Sequence, residues 1–378
     1  MKPQPATPSP FTNYPQALTD PELFQAEQDK LARVWTFLGF THHIAKDGDW
    51  FRASIATRSV FVQRFGEELR AFENRCVHRS FPLRNADSGN GPILCGFHHW
   101  RYDEEGRAVD VPECGPLFGA SVAELGARLT PVEIATCGSL IFGRFRSPGS
   151  NQTLEQFLGE SFDILSAISN AKAPPRLVTR VVDANWRLCF HANVEDYHPP
   201  VIHPATFGKG GYPNPERIGY FRFGWHSAFF NHPDPDAMKK MAVDCRAGTW
   251  RSTDYRVFQF FPDLTVSHLR AHWENWFIVL VQYRPISPSR SRMHAWYYPA
   301  PFGTRPVPWY DRVTRPVTNL FRKFAMPHVV SWVLGEDNVI CEGQQSIAQQ
   351  LSPAPILGAL EQRLAWYEEA YTECMQVR

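Results

Sequence analysis

Hydrophobic and polar positions follow two different rhythms along this chain. After Thr19-Asp20-Pro21-Glu22, the residues Leu23, Phe24, Leu31, Val34 and Trp35 recur at the three-to-four-residue interval of one helix face, with Thr19 or Asp20 standing where an N-cap belongs. From about Trp35 to Arg146 the rhythm becomes short β-rich runs, such as Val60-Phe-Val-Gln-Arg64 and Ser139-Leu-Ile-Phe142, separated by glycine and proline turns. That pattern predicts a small all-β domain. A Pro-Gly-Ser-Asn turn at 148–151 ends it, and an amphipathic segment from Leu154 to Ile168 opens a second domain of mixed helices and strands. The expected division is a helical N-terminal segment over 1–39 that packs on the larger domain, a β domain over 40–148, and the larger domain over 149–378. No internal repeat is visible, and low complexity is confined to the proline-rich first ten residues.

Composition narrows the function classes. With 378 residues, 43% hydrophobic and 14% aromatic, the chain can bury a large core and an apolar pocket. Thirty-nine basic and 38 acidic residues give a net charge of +1, so electrostatics offers no case for a nucleic-acid partner or an anionic membrane. The N-terminus lacks the apolar core of a signal peptide, and no run of eighteen apolar residues occurs. Eight scattered cysteines read as reduced thiols, which places the expected compartment in the cytoplasm.

The chemistry is concentrated in two motifs. Cys76-Val-His78 is followed, after sixteen intervening residues, by Cys95-Gly-Phe-His98. Two Cys-and-His pairs at these spacings can hold one [2Fe-2S] cluster asymmetrically, with Cys76 and Cys95 on one iron and His78 and His98 on the other, raising the reduction potential above that of an all-cysteine cluster. A tetrahedral zinc site is the competing reading, but the first half-site is Cys-x-His and not the Cys-x2-4-Cys of most structural zinc modules. The second motif is Glu195-Asp196-Tyr197-His198-Pro-Pro-Val-Ile-His203. Two histidines five residues apart can converge on one metal if the helix carrying His198 breaks at Pro199-Pro200; alone, the pair reads equally well as two ordinary, partly buried histidines. Two imidazoles and a carboxylate make the facial triad of a mononuclear Fe(II) site. The carboxylate must come from downstream, where Gly335-Glu336-Asp337-Asn338 and Glu342 offer candidates. Asp337 reads equally as the cap of a helix running through Ile340 to Gln350.

The first motif closely resembles the Rieske domain of ring-hydroxylating oxygenases, whose usual text is Cys-x-His-Arg and Cys-x-Tyr-His-Gly-Trp. Here Phe97 and His99 replace the Tyr and Gly, and the Cys-x2-His spacing still selects His98 over His99. The resemblance extends over almost the whole chain: the leading helix, Gly48-Asp49, a strand at Asn185-Trp186 into the histidine pair, a late strand around Phe260-Phe-Pro-Asp263, and a late helix beginning with a Glu-Asp pair. The chain is identified on this basis as resembling the α (oxygenase) subunit of Rieske non-haem iron ring-hydroxylating oxygenases. That implies an α+β architecture, with an all-β Rieske [2Fe-2S] domain and a helix-grip (START-like) catalytic domain built on a curved antiparallel sheet. It also implies a homotrimer.

The resemblance assigns Asp337 to the mononuclear iron with His198 and His203. It gives Glu195 the task of linking a Rieske histidine of one subunit to the iron site of the next, with Asp196 as the neighbouring alternative. His191, where many relatives carry Glu, and Phe207 are candidates for the substrate pocket. The implied activity is hydroxylation of an aromatic compound with O2, using electrons from NAD(P)H that a separate reductase supplies directly or through a ferredoxin. No G-x-G-x-x-G or flavin signature is present to supply them internally. Oxidative N- or O-demethylation of a quaternary amine or aryl ether uses the same metal set, and a Rieske electron carrier or ligand-binding protein without a working second iron is the reading from another class.

Overall fold

The computed structural model describes residues 16–147, 149–170, 174–205, 211–252, 254–270, 276–300, 309, 313, 317, 324–351 and 355–376. The chain forms two compact units, Leu31–Leu154 and a second that joins Met1–Lys30 to Glu155–Arg378. Among the described residues the first is all-β with three short helical turns and the second is α+β, as expected.

In the first unit, seven strands form an antiparallel sheet in the order β1 (Thr36–Phe40), β10 (Leu140–Arg144), β9 (Pro131–Cys137), β4 (Glu68–Glu73), β3 (Arg58–Phe65), β2 (Asp49–Ile55), β5 (Ser88–Asn90). Pairing of β1 with β10 starts the unit well before residue 40. A second sheet holds β6 (Ile93–Leu94), β7 (Arg101–Tyr102) and β8 (Ala108–Asp110). Side chains alternate across a strand, and the two cores follow from that period. Val60, Val62 and Ala71 enter one cluster with Phe51 and Ile141, whereas Phe61 and Phe72 point the other way, into a cluster with Cys76, Cys95, Trp100 and Tyr102.

The second unit is built on a seven-stranded antiparallel sheet that curls into a half-barrel, ordered β11 (Arg176–Val182), β17 (Arg290–Pro299), β16 (Trp276–Ser287), β15 (Leu264–Arg270), β14 (Arg256–Phe260), β13 (His226–Phe230), β12 (Gly219–Phe223). The expected strand around Phe260 is therefore a hairpin, turning through the cis Phe261-Pro262 bond. One face meets the helices α6 (Trp186–Val194), α9 (Met326–Ser346) and α10 (Gln362–Gln376): Tyr283 Oη donates to Asn338 Oδ1 at 3.2 Å, and Tyr220 Oη to Asp196 at 3.0 Å. On the other face Tyr298 Oη donates to Ile168 O of α5 (Phe162–Ser169), and His226 Nε2 lies 2.8 Å from Phe157 O of α4 (Leu154–Leu158). The leading helix α1 (Pro21–Leu31) starts as expected, with Asp20 Oδ1 accepting from the N–H groups of Glu22 and Leu23. It stops before Val34 and Trp35, which are buried beyond its end.

Three local expectations are corrected. Asn185-Trp186 is not a strand; the Asn185 side chain accepts from Arg187 N and caps α6. Pro199-Pro200 do not break a helix but begin one: His198 is the N-cap of α7 (Pro199–Ile202), and proline suits the first turn because its missing N–H has no intrahelical partner there. Asp337 is no cap, and the Glu-Asp pair does not begin the late helix. Helix α9 starts at Met326, and Glu336 and Asp337 lie in its middle.

Candidate metal centres

In the first unit, two loops of the same construction carry the first motif. Ser80 N donates to Cys76 O at 2.9 Å and Cys76 N to Phe81 O; in the second loop His99 N donates to Cys95 O at 3.0 Å and Cys95 N to Trp100 O. The fourth residue after each cysteine, Ser80 and His99, adopts the left-handed conformation, with φ of +60° and +57°. That conformation favours glycine, which explains the Gly of the family text at position 99. The first loop is closed by Asn74, whose side chain donates to Arg84 O and accepts from Arg84 N, both at 2.8 Å.

Within these loops Cys76 and Cys95 are buried, and the rings of His78 and His98 lie 4.6 Å apart. Nδ1 of both histidines is shielded from solvent with no hydrogen-bond partner among the described residues. Native proteins rarely leave buried polar atoms unsatisfied. Two such nitrogens beside two buried sulfurs are the donor set a mixed-ligand iron–sulfur cluster requires. Tyr102 Oη lies 3.0 Å from Cys76 Sγ, and His78 stacks on Trp100 at 4.9 Å. His99 is exposed and outside this arrangement.

The second motif forms its own centre in the other unit. Helix α6 ends at Val194, and Glu195 is extended (φ −110°, ψ 157°). The Glu195 carboxylate accepts from the N–H groups of Tyr197 and His198 and also binds His198 Nδ1. His198 and His203 thereby flank α7 with ring centroids 5.4 Å apart. Asp337 Oδ1 lies 3.3 Å from His198 Nε2 and 2.8 Å from His203 Nε2, yet has no aligned hydrogen bond, and His203 Nδ1 sits 2.8 Å from Glu336 Oε2. His198, His203 and Asp337 offer ligand atoms that all lie within 4.8 Å of one another. Burial opposes charging of His198, but the carboxylates of Asp337 and Glu195 outweigh it and push its pKa up to about 9. His203 is raised too: burial again opposes, and Asp337 and Glu336 prevail. Asp337 is lowered because the two imidazoles outweigh its own burial. Three carboxylates around two imidazoles leave an excess of negative charge that a divalent cation between the Nε2 atoms and Oδ1 would offset.

The remaining sequence candidates lie elsewhere. Asp196 is buried in an ion pair with Arg363 at 2.9 Å. His191 is not at the convergence point: its Nε2 lies 2.7 Å from the buried Glu368 carboxylate, which also pairs with Arg187. Glu342 Oε1 accepts from Asp183 N. Phe207 lies outside the described residues. Sequence reasoning considered Glu336 only as a rival ligand, and its contact with His203 Nδ1 was foreshadowed by nothing but its position beside Asp337.

Residues 165–377 match the family model for the ring hydroxylating alpha subunit (catalytic domain), and residues 34–125 match the Rieske [2Fe-2S] domain. The chain belongs to the ring-hydroxylating alpha-subunit family. It is similar to benzene 1,2-dioxygenase subunit alpha of Pseudomonas putida, 26% identical over 257 residues that cover 60% of this chain and 54% of that one. The large oxygenase component of the naphthalene 1,2-dioxygenase system of Ralstonia sp. is 31% identical over 203 residues, 50% of this chain and 44% of that one. The matches thus span about half the length of the curated relatives. Naphthalene 1,2-dioxygenase from Rhodococcus sp. shares the fold at a TM-score of 0.71 and 20% identity, covering 96% of this chain and 94% of that one. A quaternary ammonium Rieske monooxygenase does so at 0.67 and 15%, covering 99% and 97%. This family member therefore combines a Rieske [2Fe-2S] domain with a ring-hydroxylating alpha-subunit catalytic domain, and the latter carries the converging His198, His203 and Asp337. Among the described residues, no helix is long and apolar enough to cross a membrane.

Proposed function

We propose that this alpha subunit is the terminal oxygenase component of a multicomponent Rieske oxygenase that hydroxylates an aromatic compound. The convergence of His198, His203 and Asp337 carries the reading, and the relatives named for benzene and naphthalene support the substrate class. In this reading Cys76, Cys95, His78 and His98 hold the [2Fe-2S] cluster, and His198, His203 and Asp337 hold a mononuclear iron. Together the two groups would supply single electrons and an open coordination site for O2. The chain's own groups prepare both centres. Tyr102 places a hydroxyl against the Cys76 sulfur, and the Trp100 ring shields His78. Glu195 accepts a hydrogen bond from His198 Nδ1–H and so turns Nε2 inward, the usual way a carboxylate orients a metal-binding imidazole. We assign Glu195 the further task of linking this site to the Rieske centre of a neighbouring subunit in a trimer, with a reductase, directly or through a ferredoxin, supplying electrons.

A second reading, oxidative dealkylation, rests on the fold shared with the quaternary ammonium monooxygenase. Metal and acid-labile sulfide content of anaerobically purified protein tests the centres. We expect about three irons and two sulfides per chain, falling to about two irons in His203→Ala. Two irons in both proteins would sink the mononuclear site, and zinc without sulfide would sink both. With reductase and NADH present, diol or phenol from an aromatic hydrocarbon supports the first reading, and formaldehyde from a methylated amine or ether the second.

A further inference from the structure

Glu336 is not one of the three converging residues, yet it touches one of them. Its Oε2 lies 2.8 Å from His203 Nδ1, while His203 Nε2 lies 2.8 Å from Asp337 Oδ1. Consecutive residues of α9 therefore grip a single imidazole at both of its nitrogens. A neutral imidazole carries one protonated and one bare nitrogen, and an ionised carboxylate can only accept a hydrogen bond. With a metal held at Nε2, the nitrogen that faces the convergence point, the ring's one proton would sit on Nδ1, where Glu336 is placed to accept it in a hydrogen bond.

The backbone gives His203 little other guidance. It is the C-cap of the four-residue α7, with irregular dihedrals (φ −114°, ψ 57°). His198 differs, because its orienting carboxylate, Glu195, is itself pinned by two N–H groups of the same loop. On the other ring, the carboxylate that meets Nδ1 comes from α9, which runs for 21 residues and also carries Asp337. Since successive helical residues project about 100° apart, Glu336 and Asp337 can reach opposite edges of one ring without a backbone irregularity.

We propose that Glu336 is the positioning residue for His203, setting its tautomer and ring orientation for the mononuclear metal; this rests on the site reading above. The test uses the full chain with its cluster intact and the mononuclear metal removed by a chelator, then titrated with Fe(II) and separately with Co(II). Glu336→Ala weakens Fe(II) binding roughly 10- to 100-fold, the usual cost of losing an outer-shell partner, and shifts the Co(II) d–d bands. Glu336→Gln, whose amide oxygen still accepts from Nδ1–H, recovers most of the affinity and the wild-type bands. Glu336→Met, of similar length without an acceptor, carries the comparison where the alanine variant does not fold. Wild-type affinity in Glu336→Ala, with binding lost in His203→Ala, overturns the proposal and leaves the site standing. Loss in Glu336→Ala as complete as in His203→Ala, without rescue by Gln, makes Glu336 a ligand and also overturns it. Full binding in His203→Ala overturns the site reading itself.

Discussion

Replacing Glu368 by leucine removes the carboxylate on which Arg187 and His191 converge. Arg187 Nε donates to Glu368 Oε1 at 2.9 Å and its Nη2 binds Oε2, while His191 Nε2 lies 2.7 Å from Oε1. The side chains of Arg187 and Glu368 are both 0% exposed. Burial pushes the Glu368 carboxyl up, but the Arg187 charge and then His191 overcome it and bring its pKa to about 2, from an ordinary 4.5. At about 1.4 kcal/mol per pKa unit, that difference contributes about 3 kcal/mol. Because the folded value is the lower one, the contribution is fully present above pH 4.5 and is lost as pH falls towards 2. Removing one partner of a buried pair independently costs about 3–5 kcal/mol; Glu27 still faces Arg187, which argues for the lower end. At roughly 2–4 °C per kcal/mol, thermal unfolding at pH 7 followed by circular dichroism should fall by roughly 6–12 °C in Glu368→Leu. The double variant with Arg187→Met should recover part of that loss, since no uncompensated charge stays buried. A fall below about 2 °C, or a double variant worse than the sum of the singles, would refute the assignment of this ion pair as what fixes α6 against α10.

Other perturbations follow the same logic. Asn74→Ala strands the N–H and C=O of Arg84 that close the first ligand loop; a cost of about 2–3 kcal/mol should appear as faster bleaching of the cluster absorbance, and an unchanged bleaching rate would show that the loop holds without its clamp. His99→Gly relieves a left-handed backbone and should stabilise by about 0.5–1 kcal/mol; a lower unfolding temperature would mean that the His99 side chain contributes more than its backbone costs. Burial pushes His226 down to about 4 from 6.5, so below pH 6.5 the unfolded chain takes up the proton first. Stability should therefore drop by about 2 kcal/mol from this residue between pH 6.5 and 5, and urea unfolding of His226→Gln should show a flatter pH dependence; an identical slope in the two proteins counts against a neutral buried His226.

What could be read from the sequence was what is local in it. Cys76, His78, Cys95 and His98 are legible as a candidate set because each half-site is a short loop whose spacing is itself the chemistry; the left-handed backbone at His99 accounts for the usual Gly and gives no reason for the His. Arg187, His191 and Glu368 are not legible, because the pairing joins residues some 180 positions apart. A lone histidine before the metal motif therefore reads as a pocket group when it belongs to a buried ion-pair network. Asp337 was legible as an acid in the right region, but its helix was placed too late. The β-branched Val329, Val330 and Val333 and the aromatic Trp332 do not announce a helix by propensity, and tertiary packing of α9 on the sheet overrides it.

The prolines show most clearly where reading must fail. Pro199 breaks a helix already under way and begins one that is not, so its effect depends on whether His198 is helical on arrival. What settles that is Glu195. Its carboxylate captures the N–H groups of Tyr197 and His198, which a continued helix would need for its own carbonyls, and the chain leaves α6 extended before the prolines are reached. The same carboxylate then holds His198 Nδ1. One acid thus ends the helix, starts the next and aims His198 Nε2 towards His203 and Asp337, so the irregular backbone between α6 and α7 is part of the candidate site it builds.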